Sequence, residues 1–180
     1  MRAILLSRAA TIFALGLTAA NPARAANDVS PADLKAATRS LGFLQNLPRT
    51  STVEVGIVYL PGVPASKALA QQTADRLRSL AGPNNAVLKP NLISLHELAG
   101  HTTGLTALYL LPGSTGNGIA DVARREHLLV MSNDPACLDQ RCCMLMVRDT
   151  GRVEIVLDSA LADSAGVSFS SVFAMMVKHK

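Results

Sequence analysis

A glycine-rich turn, Gly113-Ser114-Thr115-Gly116-Asn117-Gly118, is the stretch whose residue types and spacing come nearest to a phosphate-binding loop. It departs from both common loop patterns. A Walker A loop needs Lys and then Ser or Thr after its last glycine, and Ile119 follows here instead. A dinucleotide fingerprint needs a third glycine where Asp121 stands. Neither nucleotide pattern is therefore present.

A small anion is still a candidate ligand for this turn, because backbone N–H groups at the start of a helix bind anions. An ordinary capped turn is the alternative, since most such turns bind nothing. The side chains that could add hydrogen bonds to a ligand are Ser114, Thr115 and Asn117, together with Asn133 at the end of the next predicted strand.

Hydrolytic and metal chemistry are both disfavoured by the spacing of the polar residues. No Gly-x-Ser-x-Gly elbow exists, so a serine nucleophile would have to be Ser114 working with His127 or His96. His96 and His101 are five residues apart, whereas two ligands on one helix face need a spacing of four. We therefore expect a non-catalytic protein with no catalytic residue, metal site or cofactor.

Three cysteines, Cys137, Cys142 and Cys143, lie within seven residues and lack the Cys-x-x-Cys spacing of thiol–disulfide exchange enzymes. If Cys142 and Cys143 begin a strand, they point to opposite faces, so at most one faces Cys137. We predict a local disulfide from Cys137 to either Cys142 or Cys143. A reduced, buried pair of thiols is the alternative.

The residues around the turn, from Gly104 to Asp134, predict the supersecondary unit that positions it. Two short, almost wholly apolar runs enclose the turn and a helix-compatible segment, as in a β-α-β crossover between buried parallel strands. Tyr59-Leu60-Pro61-Gly62 and Tyr109-Leu110-Leu111-Pro112-Gly113 form a weak internal echo. Because crossovers keep one hand, both turns should open at the same edge of the sheet, where ligands of α/β proteins bind.

The remaining pattern predicts one α/β domain of three layers, with a mostly parallel sheet, helices on both faces and a C-terminal antiparallel hairpin. Ser30 and Pro31 predict the start of a helix that ends at Pro48, and its apolar face either covers the sheet or binds a partner. Pro90 places its strand at an edge or interrupts it. The other predicted strands are at 53–60, 86–95, 142–147 and 152–157. The other predicted helices are at 65–81, after Asp158 or Ser159, and after Ser168. The last helix has an apolar stripe that we interpret as core.

The first 25 residues have the features of a secretory signal. Arg2 and Arg8 precede an apolar run that is too short to span a bilayer, and Ala23-Arg24-Ala25 matches a cleavage site. We expect cleavage after Ala25 and a soluble periplasmic domain over 26–180. The net charge of +4 then falls to +1, because three arginines and no acids leave with the signal. With two Tyr, four Phe and no Trp, nucleic acid is not an expected partner.

The last third of the chain resembles the YfiR-like family of small periplasmic proteins. The residues that carry the resemblance are Leu128 to Asn133, the hairpin around Asp149-Thr150-Gly151-Arg152-Val153, Ser159 to Val167, and Ser170-Ser171. The chain departs from the family pattern at Leu47, where Trp is usual, at Cys142-Cys143, where Gly-Gly is usual, and at Asp158, where Asn is usual.

The resemblance implies a non-catalytic regulator or sensor that binds the periplasmic domain of a membrane signalling protein, and a diguanylate cyclase is the partner of the best-known member. A homodimer is a further expected assembly. The alternative is a one-lobed small-molecule binding module. It would use the turns at Pro61-Gly62, Pro112 to Gly118 and Ser132 to Asp134.

Overall fold

The computed structural model of the protein describes residues 28–47, 51–116 and 118–180. The predicted signal segment, Pro48 and Asn117 lie outside these ranges. None of the helices in the described ranges has the length and apolar character needed to cross a bilayer.

One seven-stranded sheet organises the domain, in the order β2-β1-β3-β4-β5-β6-β7. Neighbours are parallel except for the β5–β6 hairpin, which is antiparallel. The predicted fold class is therefore confirmed. The strands are β1 (Thr52–Tyr59), β2 (Val87–Ser94), β3 (Ala107–Leu110), β4 (Leu129–Ser132), β5 (Leu145–Asp149), β6 (Val153–Leu157) and β7 (Lys178–His179).

Helices cover both faces of this sheet. The crossovers β1-α2-β2 and β3-α3-β4 move in opposite directions along the sheet, so right-handed connections place α2 and α3 on opposite faces. Helix α1 lies beside α2 and packs on the β5–β6 hairpin. The helices are α1 (Pro31–Leu41), α2 (Pro64–Arg78), α3 (Ile119–Glu126), α4 (Pro135–Asp139), α5 (Ser159–Ser164) and α6 (Ser171–Met176), with 3₁₀ turns at Pro83–Asn85 and Leu95–Gly100.

The core lies on the two central strands that enclose the glycine-rich turn. Every residue of β3 and β4 is buried, as expected for parallel strands that are covered on both faces. Strand β2 lies at one edge and stays unbroken at Pro90, whose missing N–H costs no ladder bond there.

The first helix is shorter than its apolar pattern predicts. It ends at Leu41, where the Gly42 N–H closes the last turn on the Arg39 and Ser40 carbonyls. The chain then forms a bridge from Leu44 to Phe169, so the helical spacing that continues to Leu47 is overridden by a tertiary contact.

The last helix differs from the prediction in its start and in its buried face. Ser170 rather than Ser168 caps it, because the Ser168 carbonyl accepts a hydrogen bond from the Gln45 N–H. Phe173 is buried against Phe43 and Phe169, with ring centroids 4.9 and 4.8 Å away. Val172 and Met176, which were predicted as core, are 55% and 63% exposed. The interpretation of this stripe as core is therefore wrong for two of its five residues, Phe169, Val172, Phe173, Met176 and Val177.

Candidate functional site

The carboxyl ends of β1 and β3 form the switch point, where the order in which the chain adds strands to the sheet reverses. From β1 the chain crosses to β2 on one side, and from β2 it returns to β3 on the other. Ligands of open α/β sheets bind in the crevice at such a switch point. The two turns of the sequence echo meet there, since a Cβ built on Gly113 would lie 3.8 Å from Leu60 Cδ1.

The predicted ligand-binding residues of the turn take different positions at this edge. Ser114 is fully buried, its N–H donates to the Leu111 carbonyl at 2.8 Å, and its Oγ has no hydrogen-bond partner among the described residues. Thr115 is half-buried. Asn117 lies outside the described residues. The turn therefore holds one buried hydroxyl whose hydrogen-bonding capacity is unused.

Asn133 is directed to α1 rather than to the turn. Its side-chain amide donates to the Asp28 carbonyl at 2.8 Å and to Asp33 Oδ2 at 3.1 Å. Its Oδ1 is buried with no partner in the described part of the chain. Asn133 thus ties the end of β4 to the start of α1, and only its acceptor oxygen is unused.

Asp134 places a carboxylate beside the turn. Its Oδ2 accepts the Gly113 N–H at 3.1 Å, and its Oδ1 caps α4 through the Ala136 N–H at 3.0 Å. A carboxylate already bound to the turn repels a second negative charge. The geometry of the turn therefore favours a neutral or zwitterionic ligand over phosphate.

The proposed pairing of Ser114 with histidine does not occur. His127 precedes β4 and lies at the amino edge of the sheet, whereas Ser114 follows β3 and lies at the carboxyl edge. His127 Nδ1 instead hydrogen-bonds the Ala165 carbonyl at 2.9 Å. His96 lines a cavity of about 460 Å³ beside Gly116, and no described residue hydrogen-bonds Ser114 Oγ. In the described residues no cluster of three His, Cys, Asp or Glu side chains could hold a metal.

Asp33 is a central polar residue of the domain that the sequence identified only as a residue of the first helical turn. It is 3% exposed. Oδ2 accepts the Ser30 N–H at 3.0 Å and the Asn133 amide at 3.1 Å, and Oδ1 accepts the Asp149 N–H at 2.6 Å. One carboxylate therefore joins α1, the end of β4 and the β5–β6 hairpin.

Tyr109, in β3, lies near this carboxylate. It is 1% exposed, and its hydroxyl has no hydrogen-bond partner among the described residues. Burial, and secondly the charge of Asp33, raise the pKa of the Tyr109 hydroxyl well above its ordinary value. The phenol therefore stays neutral throughout the physiological range.

The cysteine loop forms the predicted disulfide, with Cys143 as the partner of Cys137. The argument that at most one of Cys142 and Cys143 faces Cys137 is wrong, because β5 begins only at Leu145 and strand alternation does not apply before it. Cys142 Sγ lies 3.2 Å from Cys137 Sγ. All three sulfur atoms therefore meet in one cluster.

A groove of about 460 Å³ lies on the α1 face of the sheet, above β6. Lys35 and Arg39 of α1 are exposed along one side of it, and neither forms an ion pair with a described residue. No described strand pairs with the outer edge of β6 before Val156. The apolar residues that line the groove are Ala32, Ala36, Phe43, Val153, Ile155, Phe173, Met176 and Val177. We call it the α1–α6 groove.

Two of the apolar residues that line this groove are exposed, Met176 at 63% and Val153 at 47%. Val172 and Met175 of α6 are also exposed, at 55% and 79%, but they are not part of the lining. Adjacent exposed apolar residues of this kind mark binding surfaces, whereas isolated ones need no explanation. Sequence patterning identified the α6 stripe, but it could not show that two of its five residues are exposed.

The described residues form an α/β fold with a mostly parallel sheet, the α1–α6 groove on one face and a cavity beside Gly116 at the carboxyl edge. No family model and no curated protein matches the chain. Several solved structures share the fold, including the following two. One is an ABC domain from Streptococcus pneumonia in complex with L-Trp, with a TM-score of 0.55 and 10% identity, over 84% of this chain and 61% of that one. The other is a conserved domain protein from Vibrio cholerae O1 biovar eltor, with a TM-score of 0.57 and 11% identity, over 85% and 61%. The chain thus spans less than two thirds of either structure.

Proposed function

We propose that the chain is an exported, non-catalytic regulator of YfiR-like type that binds the periplasmic domain of a membrane signalling protein. The observation that carries the proposal is the α1–α6 groove with its exposed Val153 and Met176. The Cys137–Cys143 disulfide supports export, because disulfides persist in oxidising compartments.

The chemistry of the groove supports a partner segment that is apolar on one face and acidic at its side. The groove lies between two helices above a sheet, which suits a third helix laid into it. Lys35 and Arg39 lie one turn apart on the same face of α1 and have no carboxylate partner among the described residues. In a symmetric dimer through this groove, each copy would bring the same two cations, so the charges favour a different protein. A diguanylate cyclase is the membrane partner that the resemblance suggests.

Binding of the mature domain to purified periplasmic domains of membrane signalling proteins tests the proposal. Val153→Asp and Met176→Asp should each weaken binding about tenfold or more, because each places a charge in an apolar contact. Val63→Asp is the matched control: Val63 is 44% exposed, caps α2 far from the groove, and Asp is a favourable cap. The absence of binding to any such domain, or equal weakening by the control, would contradict the proposal.

A small-molecule binding module is the second candidate. The observation that favours it is the cavity beside Gly116, two residues after the unused Ser114 hydroxyl, and the similar ABC domain was solved with L-Trp. A thermal-shift screen of amino acids and small anions tests it, because a ligand that binds only the folded state raises the melting temperature with concentration. A shift that is lost in Ser114→Ala supports this function, and no shift with any compound counts against it.

A further inference from the structure

Three buried sulfur atoms lie together in the cysteine loop. Cys137, Cys142 and Cys143 are 0%, 3% and 0% exposed. Cys137 and Cys143 form the disulfide, with their Cα atoms 5.5 Å apart, and Cys142 is the free thiol. The distance of 3.2 Å from Cys142 Sγ to Cys137 Sγ brings a thiol into contact with a disulfide sulfur.

The local backbone explains how two consecutive cysteines reach the same partner. Arg141 is in the left-handed region with φ 53°, so the chain turns sharply before Cys142. The Cys142 N–H then donates to the Cys137 carbonyl at 3.0 Å, and its thiol lies 3.3 Å from the same oxygen. This turn holds Cys142 above Cys137 and lets Cys143 follow on the same side.

We propose that Cys142 and Cys143 exchange as the disulfide partner of Cys137, so that the loop has two disulfide isomers. The Cys142 thiol loses its proton, and the thiolate attacks Cys137 Sγ. The Cys137–Cys142 bond forms as the Cys137–Cys143 bond breaks, and Cys143 leaves as a thiolate that takes up a proton. The number of disulfides and thiols is unchanged, so the step needs neither oxidant nor reductant.

Protonation of Cys142 controls the rate of this step, because the thiolate is the nucleophile. Burial raises the pKa of the Cys142 thiol, the charge of Asp134 raises it further, and a hydrogen bond from the Gly116 backbone opposes them. The thiol form therefore dominates at neutral pH, and exchange accelerates about tenfold for each pH unit below the thiol pKa.

The two isomers differ in which residue carries the free thiol. With the Cys137–Cys143 bond, the free thiol belongs to Cys142. With the Cys137–Cys142 bond, the Cys142 sulfur is bonded to a residue of α4, and the free thiol belongs to Cys143, close to the start of β5. Exchange therefore moves the free thiol by one residue towards β5.

Site-specific alkylation of the whole mature protein tests the exchange. Samples are held between about pH 7 and pH 9, quenched in denaturant at about pH 4, where thiolates are scarce, and treated with N-ethylmaleimide. Fragmentation mass spectrometry then separates a label on Cys142 from one on Cys143. We expect label on both residues. The ratio of label on Cys142 to label on Cys143 should approach a constant value with first-order kinetics, and the rate should rise with pH and be independent of protein concentration. Label on Cys142 alone under every condition would overturn the proposal.

Two variants give a second measurement. Cys143→Ser should form the Cys137–Cys142 disulfide and contain no free thiol, whereas Cys137→Ser should contain two. Circular dichroism shows whether each variant is folded, and the labelling of the wild-type protein decides the question if Cys143→Ser is not. A folded Cys143→Ser that keeps two free thiols after air oxidation would also overturn the proposal.

Discussion

The side-chain amide of Asn133 donates a hydrogen bond of 3.1 Å to the carboxylate of Asp33. These residues are 100 positions apart in the chain. Their bond fixes the first turn of α1 against the carboxyl end of β4. It also fixes α1 as one wall of the α1–α6 groove, so Asp33 and Asn133 help to hold the proposed binding surface in place.

Replacement of Asp33 by Ala should destabilise the domain strongly. Three donors, the Ser30 N–H, the Asn133 amide and the Asp149 N–H, would lose their acceptor in a buried place. We expect a loss of about 3 kcal/mol in the free energy of unfolding, since buried donors to a charged acceptor are costly to leave unpaired. Urea unfolding measures this loss.

Asp75→Ala is the control for that substitution. Asp75 is an exposed residue of α2 that pairs with Arg78 on the surface. Its removal should change the free energy of unfolding by less than about 0.5 kcal/mol. Similar losses in the two variants would show that Asp33 has no special role.

Tyr109→Phe should leave the domain at least as stable as the wild type at neutral pH. The Tyr109 hydroxyl is buried and makes no hydrogen bond within the described residues, so its removal leaves no donor or acceptor without a partner. Thermal unfolding of the two proteins measures the difference. A clear loss of stability in the variant would show that the hydroxyl has a partner, such as a bound water.

The same pair of proteins should differ in alkaline solution. The pKa of Tyr109 is raised in the folded state, so the folded state holds this proton more tightly than the unfolded state does. The free energy of unfolding is therefore unaffected by this group below the unfolded pKa of about 10, and it falls as the pH rises above that value. The wild type should therefore lose up to about 1.4 kcal/mol per pH unit more than Tyr109→Phe above about pH 10. Parallel stability curves in that range would contradict this expectation.

Loss of the disulfide should have a moderate effect, because the loop that it closes is short. Cys137 and Cys143 are six residues apart, and the chain-entropy relation for such a loop gives about 2 kcal/mol. Cys137→Ser combined with Cys143→Ser should show this loss in urea unfolding. A reducing agent should lower the stability of the wild type by the same amount and leave that of the double variant unchanged.

The parts of the fold that sequence could predict are those fixed by local patterns. The apolar runs at β3 and β4 and the turn at Asp149–Gly151 predicted buried strands and a hairpin, and the structure contains both. Gly118 begins α3 with φ 96°, as a glycine-rich start allows. In these places propensity, spacing and turn chemistry all favour one conformation.

The parts that sequence could not predict depend on distant contacts. The spacing of the last helix shows which residues share a face, but only the neighbours present in space decide that Phe173 is buried and Met176 exposed. Asp33 has the pattern of an ordinary helix cap, and its bond to Asp149 crosses 116 positions. The sequence predicts that Cys142 begins a strand. The chain instead turns before Cys142 through the positive φ of Arg141, which no local pattern indicates.

The bond from Asp149 to Asp33 has a consequence for the order in which the chain folds. Helix α1 is synthesised before the hairpin, yet Oδ1 of its Asp33 carboxylate gains the Asp149 N–H as a donor only when the hairpin near the other end of the chain has formed. Closing so long a loop is slow relative to local pairing, so we expect α1 to dock after the parallel strands have assembled. A chain emerging vectorially from a membrane pore would thus hold its leading helix undocked until almost the whole domain had followed.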